Sequence, residues 1–165
     1  MERSKTTQND ILLQRNDKLL KQFRLQVKSE LESLLIVLQW FEKIVKPLLP
    51  NPVGWQCQIA LIEGFTNTVR HAHQDLPPTT PIDLEVNLFE SWLEMRIWDW
   101  GNPFDLQAKL RSLCPTDHQS LEKEGGRGLY FMQQLTDELH YIRTPTHRNC
   151  LILRRRLGRR FTHQD

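Results

Sequence analysis

Ile59-Ala-Leu-Ile-Glu63-Gly-Phe-Thr-Asn67-Thr-Val-Arg-His71-Ala72 reads at helical period: Ile59, Ile62, Thr66 and Val69 form an apolar stripe, and Glu63, Asn67 and His71 follow one another at i, i+4 and i+8 on the adjoining face. A core-packed helix with three polar side chains along one edge is expected. A carboxylate one turn from an amide can take the proton of a hydroxyl or water, while the amide oxygen suits magnesium, which prefers oxygen ligands. An amphipathic helix with a wet edge has the same pattern, so the meaning of E-x-x-x-N-x-x-x-H depends on what else the chain carries.

Composition sets the frame. With 165 residues, 39% hydrophobic and 25% charged, the chain has apolar content for one core and one domain. A net charge of +2 is too small for bulk electrostatic binding to nucleic acid or membrane. The basic residues Arg154, Arg155, Arg156, Arg159 and Arg160 crowd together and read as a solvated tail after the last strand. Cys57, Cys114 and Cys150 are odd in number and widely spaced, which points to free thiols rather than a disulfide framework. No apolar run reaches the roughly 20 residues of a membrane span, and Met1 to Asp10 lacks a signal-peptide core, so a cytoplasmic location is expected.

Around the central helix the signals alternate. Residues 1–20 are polar and are expected as a loosely held arm. Phe23, Leu25 and Val27 alternate with polar residues as a short strand, and Ser29-Glu-Leu-Glu32 reads as a capping box. The helix it opens would bury Leu31, Leu34, Leu35, Leu38, Phe41 and Val45 until Pro47 and Pro50 stop it. Asn51-Pro52 is a second start signal, for a helix from about Val53 to His73. A proline-rich loop follows. Ile82 to Leu88 and Leu93 to Ile97 then alternate as a hairpin with its turn near Glu90-Ser91.

The second hairpin strand ends in Asp99-Trp-Gly101-Asn-Pro103-Phe104-Asp105. A strand-end aspartate can accept from an exocyclic amine, and the nearby glycine lets a ring lie close to backbone; the same residues also make ordinary turns. A polar segment to Glu124, with a short helical stretch at Leu106, Leu110 and Leu113, has the character of a lid. Gly125-Gly126-Arg127-Gly128-Leu129 then opens an amphipathic helix, whose free amides and dipole favour phosphate, with Lys123 and Arg127 adding charge. Two strands separated by a turn at Thr144 to Asn149 close the chain.

E-x-x-x-N on a helix, D-x-G at a strand end, a variable lid and G-x-G opening a helix, in that order, resemble the Bergerat ATP-binding fold of histidine kinases, gyrase, Hsp90 and MutL. Asp99-Trp-Gly-Asn-Pro-Phe-Asp105 and Gly125-Gly-Arg-Gly-Leu-Tyr-Phe-Met-Gln-Gln-Leu-Thr-Asp-Glu138 look like the anti-sigma-factor serine kinases of the RsbW and SpoIIAB type within it. The resemblance implies an α/β (α+β) two-layer sandwich, with a mixed, mostly antiparallel sheet and helices on one face. It implies a domain over residues 21–155, with a basic tail over 156–165. It also implies ATP and Mg²⁺ as cofactors. Glu63 would be the general base and Asn67 the magnesium ligand. Asp99 would bind the adenine amine beside Gly101 and Pro103, and Gly126, Gly128 and Leu129 would admit the phosphates at the helix start, with His71, Lys123 and Arg127 nearby. It further implies a homodimer, serine or threonine phosphorylation of a STAS-domain anti-sigma-factor antagonist, and control of a sigma factor or other regulator, without direct contact to nucleic acid or membrane.

Rival readings follow from the same residues. No histidine precedes His71, so no upstream phospho-accepting histidine is expected here. His71-Ala-His73 with Cys114-x-x-x-His118 offers zinc-type ligands, but on separate elements. A non-catalytic ATP-binding module that sequesters a regulator is the main alternative to a kinase. The pair Glu63 and Asn67 favours the kinase.

Overall fold

Alternating apolar residues in four extended segments make the inner face of a sheet, and the fold follows from how their registers align. The computed structural model describes residues 17–113 and 126–158. Five strands, β1 (Leu19–Lys28), β2 (Pro81–Phe89), β3 (Trp92–Asp99), β4 (Glu138–Arg143) and β5 (Asn149–Arg156), pair in the order β1-β2-β3-β5-β4. All four pairings are antiparallel, so the expected mostly antiparallel sheet has no parallel pair among the described residues. The register lines up Val27 with Ile82, Leu84 with Ile97 and Ile97 with Leu151, which puts the apolar set on one face.

Helices cover that face. A 3₁₀ turn (Leu31–Ser33) leads into α1 (Leu34–Trp40), which widens to a π-helical turn (Phe41–Val45) and ends in another 3₁₀ turn (Lys46–Leu48). Next come α2 (Val53–Asn67), a second wide turn (Thr68–Ala72), α3 (Leu106–Ser112) and α4 (Gly126–Leu135). Phe41, Leu61 and Phe65 from the helices meet Leu84, Met95, Ile97 and Leu153 from the sheet in one core, each at most 1% exposed. Burying a side chain of this size contributes about 1.5–3 kcal/mol. No helix among the described residues is long and apolar enough to cross a membrane.

Four expectations are corrected. The strand before the first helix starts at Leu19, so residues 19 and 20 belong to the sheet rather than to an arm. Ser29 does not cap a helix: its hydroxyl meets His73 Nδ1 at 3.0 Å, and Glu30 is the N-cap without a side-chain bond. Leu31 and Leu35 are 42% and 61% exposed: the buried face runs through Ser33, Val37, Phe41 and Val45, so of the expected stripe only Phe41 and Val45 are buried, with Leu34 and Leu38 half-buried. Arg154, Arg155 and Arg156 are not a solvated tail but the end of β5. Arg159 and Arg160 lie outside the described residues, as do Cys114, His118, Lys123, Gly125 and most of the lid segment.

The outer sheet face is polar but not simply wet. Ile142, Cys150 and Ile152 form a second small cluster against Trp98. Beside it Glu94, 3% exposed, accepts from Arg96 Nε and Arg154 Nε at 2.6 Å each. The two guanidinium groups satisfy a carboxylate that would otherwise be costly to bury. Cys57 and Cys150 are free and buried, and burial pushes the Cys57 thiol up to about 12, so it stays protonated and inert.

Candidate active site

Helix α2 is the backbone of the site. Its apolar face packs into the core through Cys57, Ala60, Leu61 and Phe65, which turns Glu63 and Asn67 toward the start of α4. The two helices approach at Gly128. A Cβ built there would lie 2.9 Å from Glu63 Oε2 and 3.1 Å from both Asn67 Nδ2 and Oδ1. Glu63, Asn67 and the glycine-opened helix therefore converge on one point. Neither Glu63 nor Asn67 makes a side-chain hydrogen bond to another described residue, so both remain available to a ligand. Gly126 is buried at the first position of α4, Arg127 is exposed beside it, and Leu129 turns into the core.

The opposite end of the cleft is built at the end of β3. Asp99 is 4% exposed, and its Oδ1 accepts from Gly101 N at 2.7 Å and Asn149 Nδ2 at 2.9 Å. Asp99 Oδ2 accepts from no described residue, so one carboxylate oxygen is fixed by protein and the other is open to a donor. Between these ends lies a cleft with about 730 Å³ of atom-free space, its open mouth included. Asn67, His71 and Asp99 contribute polar groups to its wall, and Met132, Tyr141 and Leu151 contribute apolar surface.

Residues not singled out in the sequence support this end of the cleft. Asn149 is fully buried, and its amide bridges Asp99 Oδ1 and the Gly101 carbonyl, the latter at 2.8 Å. Cross-strand register puts it there, opposite Asp99 on one side and Arg143 on the other, and Arg143 Nη1 donates to Asn149 Oδ1 at 2.8 Å. Such a row depends on pairing between distant segments, which no local pattern reports. Phe104 and Tyr141 stack with centroids 4.5 Å apart, and Lys109 sits 5.3 Å from the Phe104 centroid. Burial, and then the Asp99 charge, push the Tyr141 phenol well above its ordinary range, so it stays a neutral wall of the cleft.

Two expectations change at this corner. Gly101 is needed for packing, since a Cβ there would lie 2.2 Å from the Ala72 carbonyl oxygen and 2.6 Å from its carbon; approach of a ring is not what excludes a side chain. Pro103 is exposed and does not line the cleft, whereas Asn102 and Phe104 on either side of it do. His73 is no metal ligand, because both ring nitrogens are taken: Nδ1 lies 3.0 Å from Ser29 Oγ and Nε2 lies 2.9 Å from Trp100 N. Among the described residues no cluster of three acidic, histidine or cysteine side chains could hold a metal ion.

Against known proteins, the model of the histidine kinase-like ATPase domain matches residues 27–155, which take in both ends of the cleft. The chain belongs to this family. The cleft between α2, α4 and the end of β3 lies within the matched span. Serine-protein kinase RsbW of Bacillus licheniformis is 37% identical over 86 residues, which cover 50% of this chain and 53% of that protein. RsbW of Bacillus subtilis is 35% identical over 85 residues, covering 50% and 52%. RsbW of Listeria monocytogenes is 32% identical over 85 residues, covering 50% and 54%. The matches span about half the length of these relatives. A chain from the crystal structure of the SiaB-SiaC complex of Pseudomonas aeruginosa superposes with a TM-score of 0.51 at 12% identity, covering 84% of this chain and 90% of that one, and shares the fold.

Proposed function

We propose that this histidine kinase-like ATPase domain is a protein serine/threonine kinase that phosphorylates a regulatory partner and releases it. The observation that carries the reading is the meeting of Glu63, Asn67 and Gly128, of which Asn67 lines a cleft that also has Asp99 in its wall. A carboxylate with no protein partner next to a glycine-opened helix suits a phosphate acceptor site. A half-engaged aspartate at the other end suits the exocyclic amine of adenine.

The donor set also fits magnesium in part. Asn67 would supply Oδ1, and the space left by the missing Gly128 Cβ admits phosphate oxygens beside it. When bound, the ion would offset negative charge on the phosphates. The roles of the chain's own residues follow. Glu63 Oε2 takes the proton of the partner's serine or threonine hydroxyl as that oxygen bonds to the γ-phosphorus of ATP. The bond from that phosphorus to the β-γ bridging oxygen breaks, leaving ADP, and the proton passes from Glu63 to water. Amide hydrogens at the start of α4 stabilise phosphate charge, with Arg127 adding to it from the helix start. His71 lines the wall between the two ends.

The names of the relatives, serine-protein kinase RsbW, support the reaction class. On this reading the acceptor is a STAS-domain anti-sigma-factor antagonist, and the antagonist competes with a sigma factor or similar regulator for the kinase, which acts as a homodimer in the cytoplasm. Phosphorylation adds about −1.5 to −2 charge to the acceptor and weakens its docking.

Calorimetric titration of ATP and ADP, with and without magnesium, tests the site. Asp99→Asn should abolish binding, and Asn67→Ala should remove chiefly the magnesium dependence. With a STAS-domain acceptor, Glu63→Ala should retain ATP binding and lose phosphotransfer. Binding without transfer by the unaltered chain would leave an ATP-dependent sequestering module instead, and absence of nucleotide binding would refute both.

A further inference from the structure

His73 lies next to the cleft without being part of its wall, yet it is 2% exposed and committed at both ring nitrogens. A backbone N–H can only donate, so the 2.9 Å contact from Trp100 N fixes Nε2 as the acceptor. The proton then sits on Nδ1 and is donated to Ser29 Oγ at 3.0 Å. The ring is held as one neutral tautomer. Burial, which lowers its proton affinity against the opposing pull of Asp99, agrees with that assignment.

Trp100 stands between the two residues that define the base end of the cleft. Asp99 is held by its side chain, through Gly101 N and Asn149, and Gly101 is held by its N–H and its carbonyl. The Trp100 amide is the remaining hinge of this corner, and His73 occupies it, with Nε2 only 3.8 Å from Asp99 Oδ1. From His73 the chain of bonds continues to Ser29, whose own N–H meets the Pro78 and Thr80 carbonyls at 2.9 and 3.1 Å. Ser29 is buried at the junction of β1 and the first helical turn, so the far anchor of this chain is itself rigid.

We propose that His73 is a positioning residue for base recognition: it ties the Trp100 amide to Ser29 and thereby sets the direction in which Asp99 Oδ2 faces the adenine amine. The inference rests on the reading of Asp99 as the base acceptor. Its signature is selective. Loosening the corner should impair recognition of the base and leave the phosphate end, about Glu63, Asn67 and Gly128, unaffected.

The test compares affinities for ATP, for ITP, which lacks the 6-amine, and for inorganic tripolyphosphate in the full chain, its His73→Ala, His73→Gln and Ser29→Ala variants. Removing the acceptor of a part-buried amide should weaken ATP binding about tenfold or more in His73→Ala and erase the preference for ATP over ITP. Tripolyphosphate affinity should stay within about twofold, since no bond at the phosphate end changes. His73→Gln should recover part of the preference, because its side-chain carbonyl can accept from Trp100. Ser29→Ala should shift the preference in the same direction, and it carries the test if His73→Ala does not fold. Equal weakening of ATP and tripolyphosphate, an unchanged ATP preference in His73→Ala, or, where that variant does not fold, an unchanged ATP preference in Ser29→Ala, would overturn the inference. Absence of any ATP preference in the unaltered chain would overturn the assignment of Asp99 first, and this inference with it.

Discussion

Gly128→Ala places a methyl group against the two side chains assigned to chemistry, and the structure says what it would meet. At 2.9 Å from Glu63 Oε2 the new carbon is short of ordinary contact by about half an ångström, and at 3.1 Å from the Asn67 amide by somewhat less. Both obstacles are ends of flexible side chains, so the strain is relieved by rotating Glu63 and Asn67 away at a cost on the order of 1 kcal/mol. Alanine in a helix is favoured over glycine by about 0.5–1 kcal/mol, which offsets most of that cost. Stability should therefore change by no more than about 1 kcal/mol. Function should not be spared, because the displaced carboxylate and the space taken by the methyl both fall where phosphates are to be held, and a misplacement of this kind costs up to about 100-fold. Thermal unfolding paired with calorimetric titration of magnesium ATP reads both quantities on one sample. Magnesium ATP binding within about twofold of the unaltered chain would refute the phosphate-site assignment. A destabilisation of several kcal/mol would show that Gly128 serves packing instead.

The same substitution at Gly101 should behave oppositely: its Cβ would collide with the Ala72 carbonyl, which is backbone and cannot swing aside, so Gly101→Ala should destabilise by about 1–3 kcal/mol in chemical denaturation. Burial lowers the His73 pKa below its ordinary 6.5, so the unfolded chain takes up this proton first. Stability should accordingly be unaffected above that value and decline as pH falls from it toward the folded-state pKa, a slope that His73→Gln removes in denaturant midpoints measured across the range. Glu94→Ala removes the carboxylate shared by Arg96 and Arg154, which keep Glu85 and Glu138, and a loss of about 1–3 kcal/mol is expected, with magnesium ATP binding unchanged once folded.

Period and punctuation carried much of this fold. The Ile82 to Leu88 and Leu93 to Ile97 alternation became β2 and β3 with the turn where expected, and the helical period of Ile59 to Val69 became α2 and the turn after it, although the buried face is Cys57, Ala60, Leu61, Gly64 and Phe65 while Ile59, Ile62, Thr66 and Val69 are only half-buried. Misjudged stretches were those where a tertiary partner outweighed a local preference. Ser29 followed by Glu32 has the form of a cap, yet the hydroxyl is taken by a histidine 44 residues away. Leu31 and Leu35 are apolar yet face outward, because the row that packs on the sheet is Ser33, Val37, Phe41 and Val45. Glu63 and Asn67 lie one turn apart near Gly128, as their i, i+4 spacing suggested, and Asp99 ends β3 where the alternation put it. Asn149, Tyr141 and His73 were not legible in this way, since each owes its place to strand register or to a chain crossing. The basic residues of β5 show the same limit: charge composition alone could not reveal that Arg154 spans Glu94 and Glu138.

The wide turn that follows α2 acts as a phase adjuster. Its His73 N–H reaches back five residues to the Thr68 carbonyl at 2.9 Å, where a regular α-helix would reach back four. One residue more in a turn rotates everything after it by about 100° relative to a regular helix. Glu63 and Asn67, before the turn, are thereby aimed at one end of the cleft, while His73, after it, is aimed beneath the other. A chain shortened by one residue between Thr68 and Ala72 would keep its hydrophobic pattern and every polar group named above, yet those groups would no longer face a common ligand. The number of residues in this turn is thus as much a determinant of the site as their identity.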